Sequence, residues 1–445
     1  MDGESSAVDV AIVGAGFCGA MLAVHLAKEP SIRTALFERD EFARGIAYST
    51  TNPRHLLNLP AGKMGPFPDR PADFAEWLGG ASAGSFVPRA RYAAYLRSVF
   101  DAATGGLAHI ARYQDSVVSI AREAGGYLVT TGRYSVWARC VVLALGNFAP
   151  AEDFVPEGIR RDARYVADPW SVPFDDLSGD ILVVGNGLTA IDVIVELQHR
   201  AYESEVVMLS RHGRFPQTHK QYGPAIDVRL DQSTPLSTLR SVRQAIASVE
   251  SAGGDWRAVV DGIRPLTQAI WQTWPLPEQE RFNRHLRIFW ETSRRRIPPE
   301  VAATVKVLES RGRLRRIGGR IRTIEKLRDG RFRTIVARSG QTTTIETSWI
   351  INCTGPQVDV VKIDDELIRA LLERGLMRAH PTRIGIDATA DGRVIDAEGV
   401  AQSNLFALGS FLRGVLYETI AVPELSVQVK ALGQKLISCM APLRR

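Results

Sequence analysis

Two glycine-rich turns carry the residues that could do chemistry. In DVAIVGAGFCGAMLAVHLA (Asp9 to Ala27), Gly14, Gly16 and Gly19 form G-x-G-x-x-G between an apolar strand and a helix. The first glycine makes the tight turn and the second lets backbone amides approach a pyrophosphate. The third lets helix and strand pack closely. The N–H groups around Phe17 and Cys18 then open the helix at its positive end. Glu38 closes the next strand, TALFE, where a carboxylate accepts ribose hydroxyls, and Arg39 follows it. The spacing predicts an adenine dinucleotide site.

The second turn is Gly185-Asn186-Gly187-Leu188-Thr189-Ala190 in GDILVVGNGLTAIDVIVEL (Gly179 to Leu197). Its following strand ends not in an acid but in Ser210-Arg211-His212, with Arg214 close behind. An acid would repel a 2′-phosphate, whereas Ser and Arg can hydrogen-bond one. The second nucleotide is therefore expected to be NADPH. The first is then FAD, whose longer body needs a further segment. The C-terminal return supplies it: Gly409 and Ser410 follow a buried strand, and a helix opened by Pro423 can point its N-terminus at the flavin. Gly146 and Gly355 each end a buried strand where a cofactor can approach, and Val118 is counted with the FAD contacts.

The elements around these turns repeat in order, strand–turn–helix–strand and then a meander feeding a buried strand. The first meander spans Asp115 to Gly146, read as three alternating strands and a fourth, buried one. The second spans Gly319 to Gly355, with turns at Asp329-Gly330 and Ser339-Gly340. The fold expected is α/β, with two Rossmann-like dinucleotide-binding domains, the NADPH domain inserted in the FAD domain, plus a helical insertion. Its boundaries are 1–165 for the first part of the FAD domain, 166–232 and 309–355 for the NADPH domain, 233–308 for the insertion and 356–445 for the return. Trp256, Trp271, Trp274 and Trp290 punctuate the insertion and read as core, and the insertion is expected to cover the cleft.

The chain has 445 residues and a formal net charge of +6, with Arg well ahead of Lys. That balance suits anionic cofactors. Its basic residues are spread out, apart from Arg294 to Arg296 and Arg311 to Arg316, which read as solvated charge runs and not as a nucleic-acid face. Cys18, Cys140, Cys353 and Cys439 are too far apart for a C-x-x-C dithiol or a zinc knuckle. No histidine spacing suggests a metal. No apolar run is long enough for a bilayer and MDGESSAVDV does not read as a signal peptide, so a cytoplasmic protein is expected. A homo-oligomer is compatible with all of this. Arg91, Arg284 and Arg287 read as surface charge, and His212 and His219 equally as surface residues or as groups able to reach NADPH or substrate.

Several segments also carry a resemblance. ERDEFARGIAYSTTNPRHLLNLPAGKMGPFPDRPADFAEWL (Glu38 to Leu78), FVPRARYAAYLRSVF, DPW at Asp168, SRHG at Ser210, PEVAATVKVLESRGRLRRIGGRI and LYETIAVPEL together resemble the bacterial FAD/NAD(P)-binding family. Its members are similar to class B flavin monooxygenases, including amino-acid N-oxygenases and urate-hydroxylase-like proteins. The resemblance spans nearly the whole chain. It implies that Gly45, Tyr48 and the segment from Asn58 through Leu59 to Met64 line the flavin. It puts Asn58 and Lys63 nearest the reacting end as catalytic residues, and Thr419 near the flavin ring. The activity implied is NADPH-dependent hydroxylation of a small molecule, such as an amine or amino acid, by molecular oxygen through a flavin hydroperoxide. The F-x-G-x-x-x-H signature of those enzymes does not precede the second Rossmann strand, so the residues speak for hydride transfer before oxygen insertion. Rival readings are a quinone or flavin reductase, a flavin oxidase and a non-catalytic FAD-binding redox sensor.

Overall fold

The structure is a computed structural model, and it describes residues 6–80 and 83–440. Its first sheet has a parallel centre in which Ser6–Val13 lies between Thr34–Glu38 and Ser135–Leu143. Ile110–Gln114 extends it on one side, and Ala401–Ala407 followed by Arg393–Ile395 on the other. The all-apolar run Val10 to Val13 is buried because both faces of this strand are covered. One face carries the helices Phe17–Leu26, Arg89–Thr104 and Val422–Met440 around Met21, Leu22, Phe100 and Leu432. The C-terminal helix thus packs in the core of the first sheet.

The second sheet is parallel throughout, in the order Leu314–Gly318, Val206–Ser210, Ile181–Val184, Trp349–Asn352, Tyr165–Val166. A separate antiparallel sheet of Arg320–Lys326, Phe332–Arg338 and Gln341–Thr347 packs Phe332, Val336 and Ile345 against it. Among the described residues no helix is long and apolar enough to cross a membrane.

Three sequence expectations need correction. The first meander contains three strands, not four: Ser135–Leu143 is one strand whose first half pairs antiparallel with Gly126–Thr131 and whose whole length pairs parallel with Ser6–Val13. Its composition changes from alternating to continuously apolar at Cys140 because the strand passes from a half-covered to a fully covered position. The helix Pro299–Ser310, assigned with the insertion up to 308, packs Val301, Ala302 and Val305 on the nucleotide-domain helix Leu188–His199, so it belongs to that domain. Finally, Arg294 and Arg296 are not solvated: their side chains are 5% and 2% exposed. Glu418 and Glu424 beside Arg294, and Asp261 at 2.9 Å from Arg296, make that burial tolerable.

Candidate functional site

The first phosphate loop is tightly constrained. Gly14 has φ +94°, and a Cβ there would lie 2.5 Å from the Ala144 carbonyl oxygen. A Cβ on Gly19 would lie 1.8 Å from the Gly14 carbonyl oxygen, so only glycine lets the helix come this close. Gly45, at φ +62°, faces Gly16, and a Cβ on it would lie 3.2 Å from the Gly16 Cα. Phe17 and Cys18 open the helix, whose Gly16 cap has no side-chain acceptor for the first N–H groups. Those donors are available to a phosphate. Glu38 ends its strand with its carboxylate accepting from Ala15 N–H at 2.7 Å and Asp40 N–H at 3.2 Å. Carboxylate lone pairs remain for ribose hydroxyls. These residues fit the adenosine and pyrophosphate of FAD.

In the second loop Gly185 has φ +126°, with a Cβ there only 2.1 Å from the Cys353 carbonyl oxygen, whereas a Cβ on Gly187 would meet nothing within 4 Å. Asn186 is 6% exposed, and neither of its amide atoms has a hydrogen-bond partner. A buried amide with both ends unsatisfied costs stability unless a ligand completes it. Beyond the next strand, Ser210 Oγ accepts from Gly213 N–H at 3.1 Å. Burial and then the charges of Arg287 and Arg320 lower the pKa of Arg211. Neither Arg211 nor Arg320 has an ion-pair partner among the described residues. Arg214 lies over the Phe289 ring at 4.0 Å. Glu291 offsets part of this charge through its pair with Arg287 at 2.9 Å, and a phosphate would relieve the rest.

One cavity of about 720 Å³ is lined by both nucleotide domains, by the second loop directly and by the first domain through residues that follow its loop. From the first domain it is lined by Arg39, Tyr48, Asn58, Leu59 and Met64, and from the second by Leu188, Thr189 and Gly355. The segment Ile420 to Val422, at the start of the C-terminal helix, also borders it, so the positive end of that helix faces the cavity. Ties between the domains hold this arrangement. Arg89 pairs with Asp192 at 2.8 Å, Asn52 bonds Glu196, and His55 Nε2 bonds the Asp192 carbonyl oxygen at 2.9 Å.

Other expected residues stand differently. Lys63 lines a neighbouring polar cavity of about 480 Å³ on the far side of Leu59, not the one that Asn58 lines. Thr419 is fully buried, donating to the Gly409 carbonyl oxygen at 3.0 Å and bonding Gln428. It fixes the return segment while Glu418 and Ile420 on either side reach the cavity. Ser410 bonds the Gly146 carbonyl oxygen and so joins two strand ends. Val118 sits where the pairing of its strand shifts register, outside the cavity lining.

Several residues at the cavity carried no readable signal. Arg294 and Arg295 reach it from the insertion, and Glu418 from the return. They belong to a buried charged seam. Arg294 pairs with Glu418 and Glu424 at 3.3 Å each, and Arg264 grips Glu424 at 2.6 and 2.9 Å. Burial alone would raise the Glu291 carboxyl, but Arg295, Arg287 and Arg413 outweigh it and hold the group far below the usual range. His219 was expected either to touch a ligand or to lie at the surface. Instead its Nε2 bonds the Asn58 carbonyl oxygen at 2.9 Å, and burial pushes its pKa down to about 4. It is a neutral donor that holds Asn58 in place.

Comparison with known proteins agrees with this geometry. Residues 11–148 match the model of the FAD-NAD(P)-binding family. No curated protein matches the sequence. Among solved structures, the ornithine N-hydroxylase of Kutzneria sp. 744, in complex with reduced FAD, NADP+ and L-ornithine, is 16% identical with a TM-score of 0.64, covering 97% of this chain and 99% of its own. The cadaverine monooxygenase of desferrioxamine biosynthesis from Erwinia amylovora, bound to FAD, is 12% identical with a TM-score of 0.66, covering 97% and 95%. The bacillithiol disulfide reductase of Bacillus cereus is 14% identical with a TM-score of 0.60, covering 98% and 100%. The chain shares their fold over its whole length.

Proposed function

We propose that this chain is an FAD- and NADPH-dependent monooxygenase that hydroxylates a small nucleophilic molecule, an amine or amino acid being the class the resemblance suggests. The observation that carries the reading is a single cavity lined by Arg39 and Tyr48 of the first nucleotide domain, beyond its phosphate loop, and by Leu188 and Thr189 of the second phosphate loop. Two adenine dinucleotides anchored at those loops would direct their reactive rings into the same space.

Bound FAD would supply the chemistry, accepting a hydride and passing electrons to oxygen. The chain's own residues bind and orient. Gly14, Gly16, Gly19 and Glu38 would hold the flavin nucleotide, and Gly185, Gly187, Asn186 and the Arg211 group the NADPH. The N-terminus of the C-terminal helix, at Ile420 to Val422, favours negative charge where the flavin ring would lie. His219 fixes the Asn58 backbone, which borders the cavity near its middle. Leu57, Leu59 and Met64 are buried beside it and limit water there.

A thiol–disulfide reductase, which the Bacillus cereus neighbour brings to mind, is less well supported. The four cysteines are unpaired; Cys18 stands in the first phosphate loop, and Cys353, against the second, is buried. For Cys18 the electrostatics also point away from thiol chemistry. Burial pushes its thiol up to about 12, the wrong direction for a thiolate nucleophile. The reading is tested by following NADPH consumption, oxygen uptake and peroxide release by the purified flavoprotein while amines and amino acids are added. A monooxygenase gives one substrate whose addition couples NADPH to product with little peroxide. NADPH turnover on quinones without oxygen, and no coupled substrate, favours the reductase.

A further inference from the structure

The helical insertion holds a second, half-open cavity of about 370 Å³ that the nucleotide chemistry does not use. Its walls include Val242, Ile246, Trp271, Trp274, Phe282 and Trp290. The tryptophans turn their polar edges elsewhere. Trp271 Nε1 donates to the Gly414 carbonyl oxygen at 2.7 Å, Trp274 Nε1 to the Gln232 carbonyl oxygen at 2.9 Å and Trp290 Nε1 to Glu418 at 2.9 Å. With those N–H groups satisfied, what these rings offer the cavity is carbon.

The helix Pro235–Ser251 covers one side. A capping box at Thr234 and Ser237 fixes its start, yet Leu239, Val242 and Ile246, one apolar stripe, are only half-buried. A stripe that faces an apolar cavity and still lacks packing is what an apolar occupant would complete. Charge argues the same way. The two charged residues of the lining, Arg243 and Glu250, are exposed and of opposite sign, so the site offers no net charge to a ligand.

We propose that this cavity binds a neutral, apolar ring compound, of one or two fused rings, separately from the nucleotide cavity. The site also touches the flavin-domain return. Tyr417 lines it, stacked on Trp271 with ring centroids 4.8 Å apart, while the next residue, Glu418, lines the nucleotide cavity. Tyr417 is held at φ +58° and ψ −63° in a tight turn closed by Glu418 N–H on the Leu416 carbonyl oxygen at 2.7 Å. This is the rare γ-turn, a strained conformation. An occupant that presses on Tyr417 therefore acts one peptide away from a residue of the larger cavity.

The test titrates the FAD-loaded protein with N-phenyl-1-naphthylamine, a neutral fluorescent probe. Saturable binding of one probe per chain is expected, with its emission shifted to the blue and the tryptophan emission quenched by energy transfer. Excess naphthalene should displace the probe, and excess NADP+ should not. Val242→Phe and Ile246→Phe each fill the space and should weaken probe binding about tenfold or more, with flavin content unchanged. Absence of saturable binding overturns the proposal. So does displacement by NADP+, or full affinity in whichever of the two variants retains its flavin. If neither variant folds, failure of naphthalene to compete is the deciding negative result.

Discussion

The two phosphate loops make the same turn, but the protein fills them to different degrees. At the first, Gly14 and Gly19 are pressed onto backbone carbonyls, Gly45 closes over Gly16, and Glu38 already accepts two backbone amides. At the second, Gly187 faces open space, the Asn186 amide is buried without a partner, and Arg211 stands beside other cations. The first is a preorganised cradle whose geometry the surrounding protein sets. The second keeps polar groups in a state that a nucleotide improves. That difference matches a cofactor that stays against one that comes and goes.

Steric pressure gives the largest way to break the comparison. Gly19→Val should abolish flavin retention and much of the fold, since its Cβ would overlap the Gly14 carbonyl oxygen. Gly187→Ala should fold, keep its flavin and lose only NADPH affinity, as the ratio of flavin to protein and a nucleotide titration would record. Flavin loss in Gly187→Ala would erase the distinction. Next in size, Arg211→Ala should weaken NADPH by ~1.5–3 kcal/mol, the range of a charge-assisted bond, and leave NADH nearly unchanged. An equal loss for both would remove the 2′-phosphate assignment.

A smaller and more pointed effect is expected at Asn186. Asn186→Leu removes two buried unsatisfied polar atoms, so without nucleotide it should melt higher, by ~1–2 kcal/mol, while binding NADPH more weakly. A lower melting temperature would mean that the amide already has a partner in the free protein. The smallest effect concerns the first domain and pH. His219 is neutral in the fold down to about pH 4, whereas in the unfolded chain it takes up a proton near pH 6.5. Falling pH therefore favours the unfolded state, and stability should drop by about 1 kcal/mol by pH 5.5. His219→Gln should lack this part of the slope, which thermal melts across pH 5–8 would reveal. An unchanged slope would remove His219 from the account.

The two loops were legible in the sequence because their demands are local. A turn at positive φ, a helix start and a strand-ending acid or arginine all fall within about 25 residues, as from Gly14 to Glu38. The seam was not legible, because Arg294 meets Glu418 across 124 residues. A run such as Arg294 to Arg296 reads as solvated until the fold brings carboxylates to it. The same reason hid the roles of His219 and Thr419: each bonds a backbone carbonyl that only tertiary structure presents. The continuous strand Ser135–Leu143 was missed for the opposite reason, a change in burial within one element being read as a change of element.

The central claim is that a flavin held at the first loop is reached by a hydride from a 2′-phosphorylated nucleotide held at the second. The most direct test mixes the purified FAD-loaded protein with NADPH, and separately NADH, without oxygen, and follows the flavin absorbance through a single turnover. The account predicts rapid bleaching by NADPH, much slower bleaching by NADH at equal concentration, and loss of the difference in Arg211→Ala. A flavin that neither nucleotide bleaches would contradict it.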